Sequence, residues 1–358
     1  MKSIYIHIPF CRKICNYCDF SKVIYNKAWV EDYLRFLAIE ILDKYDGEEM
    51  GTLYVGGGTP SAFSVEELKV FFNIIRKLNL NEKVEFSFEM NVEDIELDKL
   101  LLLKANGVNR VSVGVQTFNL NYQRSLGRVV DDNIVDKIKL LQSHFSNVSV
   151  DLMYGFFNQS IVDVEKDLEV LLGIKPSHVS IYNLILEQHT KLNFDNEKES
   201  DDDIAFDMYK KILDTLEEKG YKRYEVSNFC TPGFESKHNL NYWNNDEYFG
   251  FGLGAHGFID GFRYENTRSL TKYLAGEFLL NEDKVTLERL KSDELMLGLR
   301  KTSGINLNDY YVKYKTRLED DLKIIDVVKE GYLINDGDSI YLNPDYFFLM
   351  NEILIKLI

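Results

Sequence analysis

Residues 7–20 read HIPFCRKICNYCDF and place Cys11, Cys15 and Cys18 within eight positions. The fourth and last cysteine of the chain, Cys230, lies more than two hundred residues further on. Iron–sulfur clusters are held by cysteine thiolates and usually need four of them. Three clustered thiolates would leave one iron with an open position, where a metal centre can bind a substrate. The spacing C-x3-C-x2-C therefore predicts a metal site that lacks one protein ligand.

Other uses of three neighbouring cysteines fit this stretch less well. Lys13, Asn16 and Asp19 make the segment polar and loop-like, whereas a structural cysteine is usually a small buried apolar side chain. A zinc site would need a fourth ligand, typically from a second cysteine pair or a histidine pair, and no second pair follows. A disulfide framework would need a denser set of cysteines in a secreted chain.

The composition is that of a globular protein with a full core. The chain has 358 residues, 45% of them hydrophobic and 28% charged, which allows one large domain and a smaller one. A net charge of −16 argues against a nucleic-acid groove and against electrostatic docking to anionic lipid. The first residues, MKSIYIHIPFC, contain no apolar signal-peptide core, and no stretch is long enough to span a membrane. We therefore expect a cytoplasmic protein.

Strand-like and helix-like segments alternate through the first two thirds of the chain. Apolar and β-branched runs predict strands over 3–8, 52–58, 84–90, 110–116, 147–155 and 178–187. Helical spacing predicts helices over 29–46, 65–78, 97–107, 130–143, 161–172 and 201–219, with Ser64 and Glu67 forming a capping box. Six β–α units predict a parallel sheet with helices packed outside it. Six are too few for a complete eight-unit barrel, so a partial barrel or a doubly wound sheet is expected.

The remaining sequence predicts two further parts. Residues 221–285 contain YKRYEVSNF and a glycine-rich stretch, which we interpret as added β-structure that closes the open side of the residue 1–220 barrel. From residue 286 to 358 the pattern is helix, turn, helix, then helix, hairpin, helix, with Gly337 in the hairpin turn. This predicts a small α+β domain of winged-helix appearance, an appearance that does not by itself imply DNA binding.

Polar residues occur where the predicted strands end. In parallel α/β folds the carboxyl ends of the strands meet at one edge and form the functional site. Glycines without a Cβ allow the backbone to approach a ligand closely, which gives the triple glycine a second use besides a tight turn. The candidate residues are the glycine-rich run 56–60, Glu89, Asn91, Gln116, Asp151 and Glu187.

Eight motifs in order carry a resemblance to a known family. They are the cysteine motif after HIPF, GGGTPS (56–61), GVQTF (114–118), LGR (126–128), DLMYG (151–155), YEVSNF (224–229), HNLNYW (238–243) and GAHG (254–257). Together they resemble the radical S-adenosylmethionine family, and within it the coproporphyrinogen dehydrogenase-like branch. The resemblance extends over nearly the whole chain. It implies a partial (β/α)6 barrel rather than a doubly wound sheet.

The resemblance also implies a set of cofactor ligands. Cys11, Cys15 and Cys18 would hold three irons of a 4Fe-4S cluster, and S-adenosylmethionine would chelate the fourth iron. Carboxylates suit an amino group or ribose hydroxyls, and an arginine suits a carboxylate. The residues that match S-adenosylmethionine contacts of the family are Tyr5, Gly57, Gly58, Thr59, Glu89, Gln116, Arg128 and Asp151.

Two features divide the branch into oxidases and heme chaperones. Members that decarboxylate coproporphyrinogen III carry a further cysteine two residues after the third, where this chain has Phe20, and a long arm before the cysteines, where this chain has ten residues. The resemblance therefore implies a heme chaperone that delivers heme to apo-hemoproteins. The alternative is an oxygen-independent coproporphyrinogen III oxidase. A homodimer and a peripheral membrane association through a partner are compatible with either function.

Three residues are candidates for binding the heme iron. His238 in HNLNYW is the first candidate, because heme iron accepts a neutral imidazole well. The alternative for His238 is a capping role in a loop. His256 in GAHG is its rival, and Cys230 is the third candidate, although a buried neutral thiol is the interpretation we favour for it.

Overall fold

The computed structural model describes residues 2–195 and 200–357. Strands and helices alternate from the amino terminus to residue 218. The strands of this part are β1 (Ser3–Ile8), β2 (Phe10–Cys11), β3 (Val23–Ile24), β4 (Met50–Gly57), β5 (Leu80–Asn91), β6 (Arg110–Gln116), β7 (Asn147–Tyr154) and β8 (His178–Asn183). Its helices are α1 (Lys27–Lys44), α2 (Val65–Ile75), α3 (Leu97–Ala105), α4 (Leu120–Ser125), α5 (Ile134–Gln142), α6 (Ile161–Ile174), α7 (Lys191–Phe194) and α8 (Asp202–Glu218).

Six of these strands form a parallel sheet in chain order. β1 pairs with β4, and β4 to β8 follow one another as parallel neighbours. A doubly wound sheet would reverse its strand order at a switch point, and this sheet does not. Its inner face curves around one cavity, which is lined from Tyr54 on β4 to Tyr182 on β8. The predicted partial (β/α)6 barrel is therefore confirmed.

The two faces of the sheet differ in chemistry because side chains alternate along each strand. The outward side chains are apolar and pack under the helices in one large core, which contains Ile4, Leu53, Phe86, Val111, Val150 and Val179. The inward side chains at alternate positions are polar, among them Thr52, Tyr54, Glu89, Arg110, Ser112, Asp151 and Ser180. The helices thus stabilise the fold from outside, while the inner face is free to bind a polar ligand.

Most predicted boundaries lie within a few residues of the observed ones. The capping box at the start of α2 is confirmed: the Glu67 amide donates to Ser64 Oγ over 3.3 Å, and the Ser64 amide donates to Glu67 Oε2 over 2.7 Å. The sixth strand was predicted too long. β8 ends at Asn183, because Leu184 leaves the sheet to pack with a small cluster around Leu126. Glu187 is consequently exposed in the next turn and does not line the cavity.

The following segment extends both edges of the sheet. Its elements are β9 (Lys222–Arg223), β10 (Asn228–Cys230), α9 (Lys237–Trp243), β11 (Tyr248–Phe251), β12 (His256–Ile259), β13 (Phe262–Asn266), α10 (Leu270–Tyr273) and β14 (Leu279–Lys284). β11 pairs parallel with β1, and β10 pairs antiparallel with β8. α9 packs on β4, where the ring of His238 stacks on Tyr54 with centroids 5.1 Å apart. A helix, rather than a strand, therefore covers the amino-terminal end of the barrel interior.

The last part of the chain has its own apolar core, with Leu299, Ile340 and Leu354 fully buried in it. Its elements are α11 (Leu287–Gly298), β15 (Ile305–Asn306), α12 (Leu307–Tyr314), α13 (Leu322–Lys329), β16 (Leu333–Asn335), β17 (Ser339–Leu342) and α14 (Met350–Ile355). The predicted hairpin is the antiparallel pair β16–β17, and Gly337 adopts a φ of 95° in its turn. The domain boundaries at 220 and 285 and the winged-helix description stay predictions.

None of the helices in the described part of the chain combines the length and the apolar character that crossing a membrane would require.

Candidate cofactor site

The three cysteines lie on a loop held at its base and at its tip. At the base, β2 and β3 pair in parallel, so that Phe10 lies beside Val23 and Cys11 beside Ile24. At the tip, the Asn16 amide donates to the carbonyl of Leu126 over 2.8 Å. All three thiols are free, and all three line one cavity of about 310 Å³, here called the cysteine cavity.

Two of the sulfurs receive hydrogen bonds from outside the loop. Thr59 Oγ1 donates to Cys11 Sγ over 3.4 Å, and Arg128 Nη1 donates to Cys15 Sγ over 3.8 Å. Donors of this kind tune the thiolates of iron–sulfur clusters, so the residues present fit such a cluster. Within residues 2–195 and 200–357, no three His, Cys, Asp or Glu side chains are gathered around a single-ion position.

Most of the predicted cofactor residues meet at the cysteine cavity. Ten of the twelve line it, whereas Tyr5 and His238 do not. The ten are Cys11, Cys15, Cys18, Gly57, Gly58, Thr59, Glu89, Gln116, Arg128 and Asp151. They come from the cysteine loop, the ends of β4, β5 and β6, the middle of β7 and the loop after α4. That these residues act as ligands stays a prediction.

The glycine run after β4 lets the backbone pass close to the cysteine loop. Gly57 has a φ of 114°, and a Cβ there would lie 2.6 Å from the His7 ring. A Cβ on Gly58 would lie 2.7 Å from the carbonyl of Pro9 and 3.0 Å from Cys11 Sγ. Because any side chain would separate these segments, the glycines are needed for the backbone to reach the cavity.

Two carboxyl groups on the inner face have raised pKa values. Glu89 accepts a hydrogen bond from the Tyr54 hydroxyl over 2.7 Å and one from the Gly57 amide over 3.0 Å. Burial nevertheless raises the pKa of Glu89 to about 7. Burial also raises the pKa of Asp151, although Ser112 Oγ donates to both of its oxygens over 3.1 and 3.2 Å. Both carboxyls therefore lack a full counter-charge and can accept a cationic or hydroxylated ligand.

Arg128 joins the cysteine loop to the ends of β5 and β6. Its Nη1 also donates to Asn91 Oδ1 over 3.1 Å, and its Nη2 donates to the carbonyl of Gly114. Nearby, Gln116 has a φ of 69°, a left-handed conformation that is rare for a residue other than glycine. Such conformations are concentrated at functional sites, where the surrounding structure enforces them.

Arg110 belongs to the site although the sequence reasoning did not select it. It is 2% exposed and lines the cavity floor, and its Nε has no hydrogen-bond partner within the described residues. Its positive charge lowers the pKa values of Glu89 and Asp151 and so opposes the effect of burial. The sequence does contain a signal for this residue. Arg110 is the first residue of the strand RVSVGVQ, at a position that the alternation of side chains assigns to the inner face.

Tyr5 lines a second cavity instead, which shares a wall with the first. This cavity, of about 330 Å³ and here called the histidine cavity, also contains His256, and Phe20, Gly57 and Glu89 line both cavities. His7 Nε2 lies 2.7 Å from the Ser21 carbonyl, which can only accept, so Nε2 carries the proton. The Tyr5 hydroxyl then donates to His7 Nδ1 over 3.0 Å. Tyr5 is thus separated from the cysteine cavity by Gly57 and Glu89.

His238 lies beneath the cavity floor, on α9 and not in a loop. It is 1% exposed, with Nδ1 2.7 Å from Thr52 Oγ1 and Nε2 2.8 Å from the Tyr242 hydroxyl. Burial lowers its pKa to about 3. Iron binding would require breaking one of these two bonds, so the geometry does not favour His238 as a heme ligand. Its neighbour Asn239 lines the cysteine cavity. Cys230 is buried, and burial raises the pKa of its thiol to about 12.

Comparison with known proteins assigns the class. Residues 5–171 match the family model of the Radical SAM superfamily. The whole chain is similar in fold to coproporphyrinogen III oxidase (HemN) from Escherichia coli, a radical SAM enzyme, with a TM-score of 0.87 and 22% identity over 99% of this chain and 89% of that one. The fold and the cysteine site together define a radical SAM protein.

Full-length relatives identify the family of this chain within the radical SAM proteins. The heme chaperone HemW of Lactococcus lactis is 37% identical over 99% of this chain and 96% of its own length. HemW of Bacillus subtilis is 35% identical over 99% and 98%, and HemW of Escherichia coli is 30% identical over 98% and 97%. The chain therefore belongs to the HemW family.

Proposed function

We propose that this protein is a heme chaperone that holds a 4Fe-4S cluster and S-adenosylmethionine and delivers heme to apo-hemoproteins. The observation that supports it best is the arrangement of the cysteine cavity in a chain that matches HemW proteins from end to end. Three free thiols there face a polar inner sheet, so a bound cofactor can complete the coordination that a fourth cysteine would otherwise supply.

The residues around the cavity suit the two ends of S-adenosylmethionine. When bound, a reduced cluster supplies an electron to this cofactor, and the protein positions the two groups. Glu89 in its ionised form can accept hydrogen bonds from the amino group, and Asp151 can accept them from ribose hydroxyls. Arg128 suits the carboxylate, and the amides of residues 57–59 and Gln116 offer further polar contacts.

Phe20 is the basis for proposing heme transport over decarboxylation. It occupies the position at which the oxidases of the branch have a further cysteine, and its side chain is 62% exposed between the two cavities. An exposed phenyl ring offers apolar contact to a flat ring system, whereas a thiol would offer redox or ligand chemistry. Coproporphyrinogen III oxidase activity is the alternative function to be excluded by assay.

Delivery requires partners, which form part of the same proposal. The recipients are apo-hemoproteins, and we expect no nucleic-acid partner because the net charge is −16. We place the protein in the cytoplasm, as a homodimer that reaches the membrane through a partner. Light scattering of the reconstituted protein tests the homodimer. Flotation with native membranes, compared with protein-free vesicles, tests association through a membrane partner.

An anaerobic experiment tests the proposed function. The cluster is reconstituted, hemin is titrated into the protein, and turnover of coproporphyrinogen III is assayed in parallel with S-adenosylmethionine present. We expect one heme bound per chain and transfer of that heme to an apo-hemoprotein, without formation of protoporphyrinogen. Decarboxylation of coproporphyrinogen would instead establish the oxidase.

Replacing one cysteine tests the cluster. We expect Cys15→Ser to remove the brown absorption and the iron of the reconstituted protein, because two remaining thiolates cannot hold the cluster stably. Cys230→Ser is the matched control, since this thiol lies on β10 and does not line the cavity. Retention of iron and colour in Cys15→Ser would contradict the cluster assignment.

A further inference from the structure

A third cavity, of about 300 Å³, lies between the barrel and the last part of the chain, and it is here called the arginine cavity. The barrel contributes side chains from β7, β8, α8 and β10, and the last part contributes Arg300 and residues 347–351. Tyr182 on β8 lines both this cavity and the cysteine cavity. The residues proposed to hold the cluster and S-adenosylmethionine do not line it.

The walls of the arginine cavity are aromatic and are held in place by contacts across it. The rings of Tyr209 on α8 and Phe348 pack together with centroids 5.5 Å apart. The guanidinium of Arg223 lies over the ring of Phe347, 4.0 Å from its centroid, and also donates a hydrogen bond to the Tyr209 hydroxyl. A flat apolar group that entered the cavity would therefore meet preformed ring walls.

Two hydroxyl groups at this cavity have no partner inside the protein. Tyr154 is 6% exposed, yet its hydroxyl makes no hydrogen bond within residues 2–195 and 200–357. Ser227 Oγ is likewise without a hydrogen-bond partner in the described part of the chain. Because buried polar groups are normally hydrogen-bonded, these hydroxyls are placed to bind a polar atom of a ligand.

Arg300 gives the cavity a positive charge that no neighbouring carboxylate fully compensates. Its Nε donates to the carbonyl of Met296 over 3.2 Å, but its two terminal nitrogens have no hydrogen-bond or ion-pair partner among the described residues. Burial lowers the pKa of this guanidinium, and Glu225 opposes that effect without forming an ion pair with it. Among the described residues that line the cavity none is acidic, although the chain has a net charge of −16. The cavity therefore favours an anion.

The Arg300 guanidinium also lies over the ring of Trp243, 5.6 Å from its centroid. Trp243 itself does not line the arginine cavity. The chain has two tryptophans, and the other one, Trp29, lies on α1. An anion that bound to Arg300 would change the electric field at the Trp243 indole, so this tryptophan can report binding.

We propose that the arginine cavity binds a small aromatic carboxylate, whose carboxylate group pairs with Arg300 and whose ring lies among Tyr154, Tyr209 and Phe347. A volume of about 300 Å³ is at the lower end for ligand sites and suits a molecule with a single ring system. A single free guanidinium fits one carboxylate, which it can bind through two parallel hydrogen bonds. Such a ligand would contact both the barrel and the last part of the chain, a property that does not depend on heme transport.

Calorimetric titration of the full-length protein with three matched probes tests the proposal. The probes are phenylacetate, its neutral amide phenylacetamide and the cation phenethylamine. We expect one phenylacetate to bind per chain, about tenfold more tightly than the amide, because a charge-assisted hydrogen bond is stronger than a neutral one. The cation should bind more weakly than either of the other two probes, because it would face the Arg300 charge.

Substitutions at Arg300 test which group recognises the anion. Arg300→Gln should weaken phenylacetate binding about tenfold and leave the affinity for the amide unchanged, whereas Arg300→Lys should retain a preference for the carboxylate. Arg317→Gln is the matched control, at an exposed arginine of the same part of the chain that does not line the cavity. Equal affinity for phenylacetate and its amide, or unchanged affinity in Arg300→Gln, would overturn the proposal.

Fluorescence locates the bound probe within the protein. In Trp29→Phe the emission comes from Trp243 alone, and phenylacetate should shift it with the same affinity that calorimetry gives. Tyr154→Phe removes only the unpartnered hydroxyl and should weaken phenylacetate binding about threefold. Saturable binding that left the Trp243 emission unchanged would place the probe elsewhere and overturn the assignment, as would absence of saturable binding.

Discussion

Glu89 links the cysteine cavity to the histidine cavity. Its side chain lines both of them, and its two oxygens are held by Tyr54 and by the amide of Gly57. A ligand that drew the carboxylate toward one cavity would loosen the turn at Gly57, against which the His7 ring packs. His7 in turn is bonded to Tyr5 and Ser21 on the side of the histidine cavity. A movement of the Glu89 carboxylate would therefore alter contacts in both cavities.

The raised pKa of Glu89 predicts a pH dependence of cofactor binding. Because its pKa is about 7, the carboxyl is protonated below that pH and loses its attraction for an amino group. We expect the affinity for S-adenosylmethionine to fall as the pH decreases from 8 to 6, approaching about tenfold per pH unit below the midpoint. Calorimetric titration of the reconstituted protein at several pH values measures it.

Glu89→Gln supplies the control for this pH effect. It keeps the shape of the side chain, and its amide can still accept from the Gly57 amide while donating to the Tyr54 hydroxyl. Because it cannot ionise, its affinity should be low and nearly constant from pH 6 to 8. Glu93→Gln, at an acidic residue of the short 3-10 helix that follows the same strand, should retain the pH dependence of the unaltered protein. A slope that persisted in Glu89→Gln would assign the titration to another group.

Side-chain positions were predicted correctly from the sequence where the order of the strands alone determines them. Nine of the ten predicted residues of the cysteine cavity were found because the ends of parallel strands converge at one edge of the sheet, and the tenth, Arg128, was predicted by similarity of motif. Tyr5 and His238 were placed by similarity of motif, and in the structure they face other surroundings. Tyr5 lies in the histidine cavity and not in the cysteine cavity because Gly57 and Glu89, which are distant from it in sequence, form the wall between the two. No local pattern encodes such a contact.

At the scale of elements, α9 shows how a distant charge stabilises a short helix. This segment, Lys237–Trp243, has only seven residues, too few for helical periodicity to be recognised. Its start is fixed by Glu85 on β5, which accepts hydrogen bonds from the amides of Lys237 and His238 over 3.0 Å each. A carboxylate at this end also interacts favourably with the helix dipole. Ser236 is a local cap, because its Oγ accepts from the Asn239 amide over 3.3 Å, but nothing in the sequence near residue 237 indicates the contact with Glu85.

This contact predicts a stability change in a variant of β5. We expect Glu85→Gln to lower the free energy of unfolding by about 1 kcal/mol, because the negative charge at the start of α9 is lost. Urea denaturation followed by circular dichroism measures the difference. Glu82→Gln is the control on the same strand, since Glu82 is exposed. Equal effects of the two substitutions would contradict a specific role for Glu85.

At the scale of the whole molecule, the alternating strands and helices were sufficient to predict a partial barrel. The apolar outer face needs helices to cover it, and short connections allow few other arrangements. The extension after residue 221 was predicted as β-structure, but its strands join opposite edges of the sheet. The edge that each strand joins is determined by pairing between residues far apart in sequence, such as Ser3 with Tyr248. Sequence patterns specify that pairing only weakly.

Burial of acids and imidazoles on the inner face also affects the stability of the whole chain. Burial raises the pKa values of Glu89 and Glu225 to about 7, so the native protein binds more protons than the unfolded chain between pH 4.5 and 7. Burial lowers the pKa values of His7 and His238 to about 4 and 3. At these two imidazoles the native protein therefore binds fewer protons than the unfolded chain. Between pH 6.5 and 8 these two imidazoles, and that of His178, whose pKa burial also lowers, lose their remaining protons in the unfolded chain. This raises the stability with pH and opposes the effect of the carboxyls.

The cluster-free protein should therefore become less stable as the pH rises from 6.5 to 8. Each of the two glutamic acids must give up its proton inside the fold, which costs about 0.8 kcal/mol over this interval, whereas each of the three buried imidazoles contributes about 0.4 kcal/mol in the opposite direction. We therefore expect a net loss of about 0.4 kcal/mol. Urea denaturation at both pH values measures it. Glu225→Gln, at a fully buried residue outside both cavities, removes one of the two carboxyl costs, so this variant should instead become more stable by about 0.4 kcal/mol over the same interval. An unchanged loss in that variant would show that Glu225 is already ionised at pH 6.5, and that its environment compensates the charge.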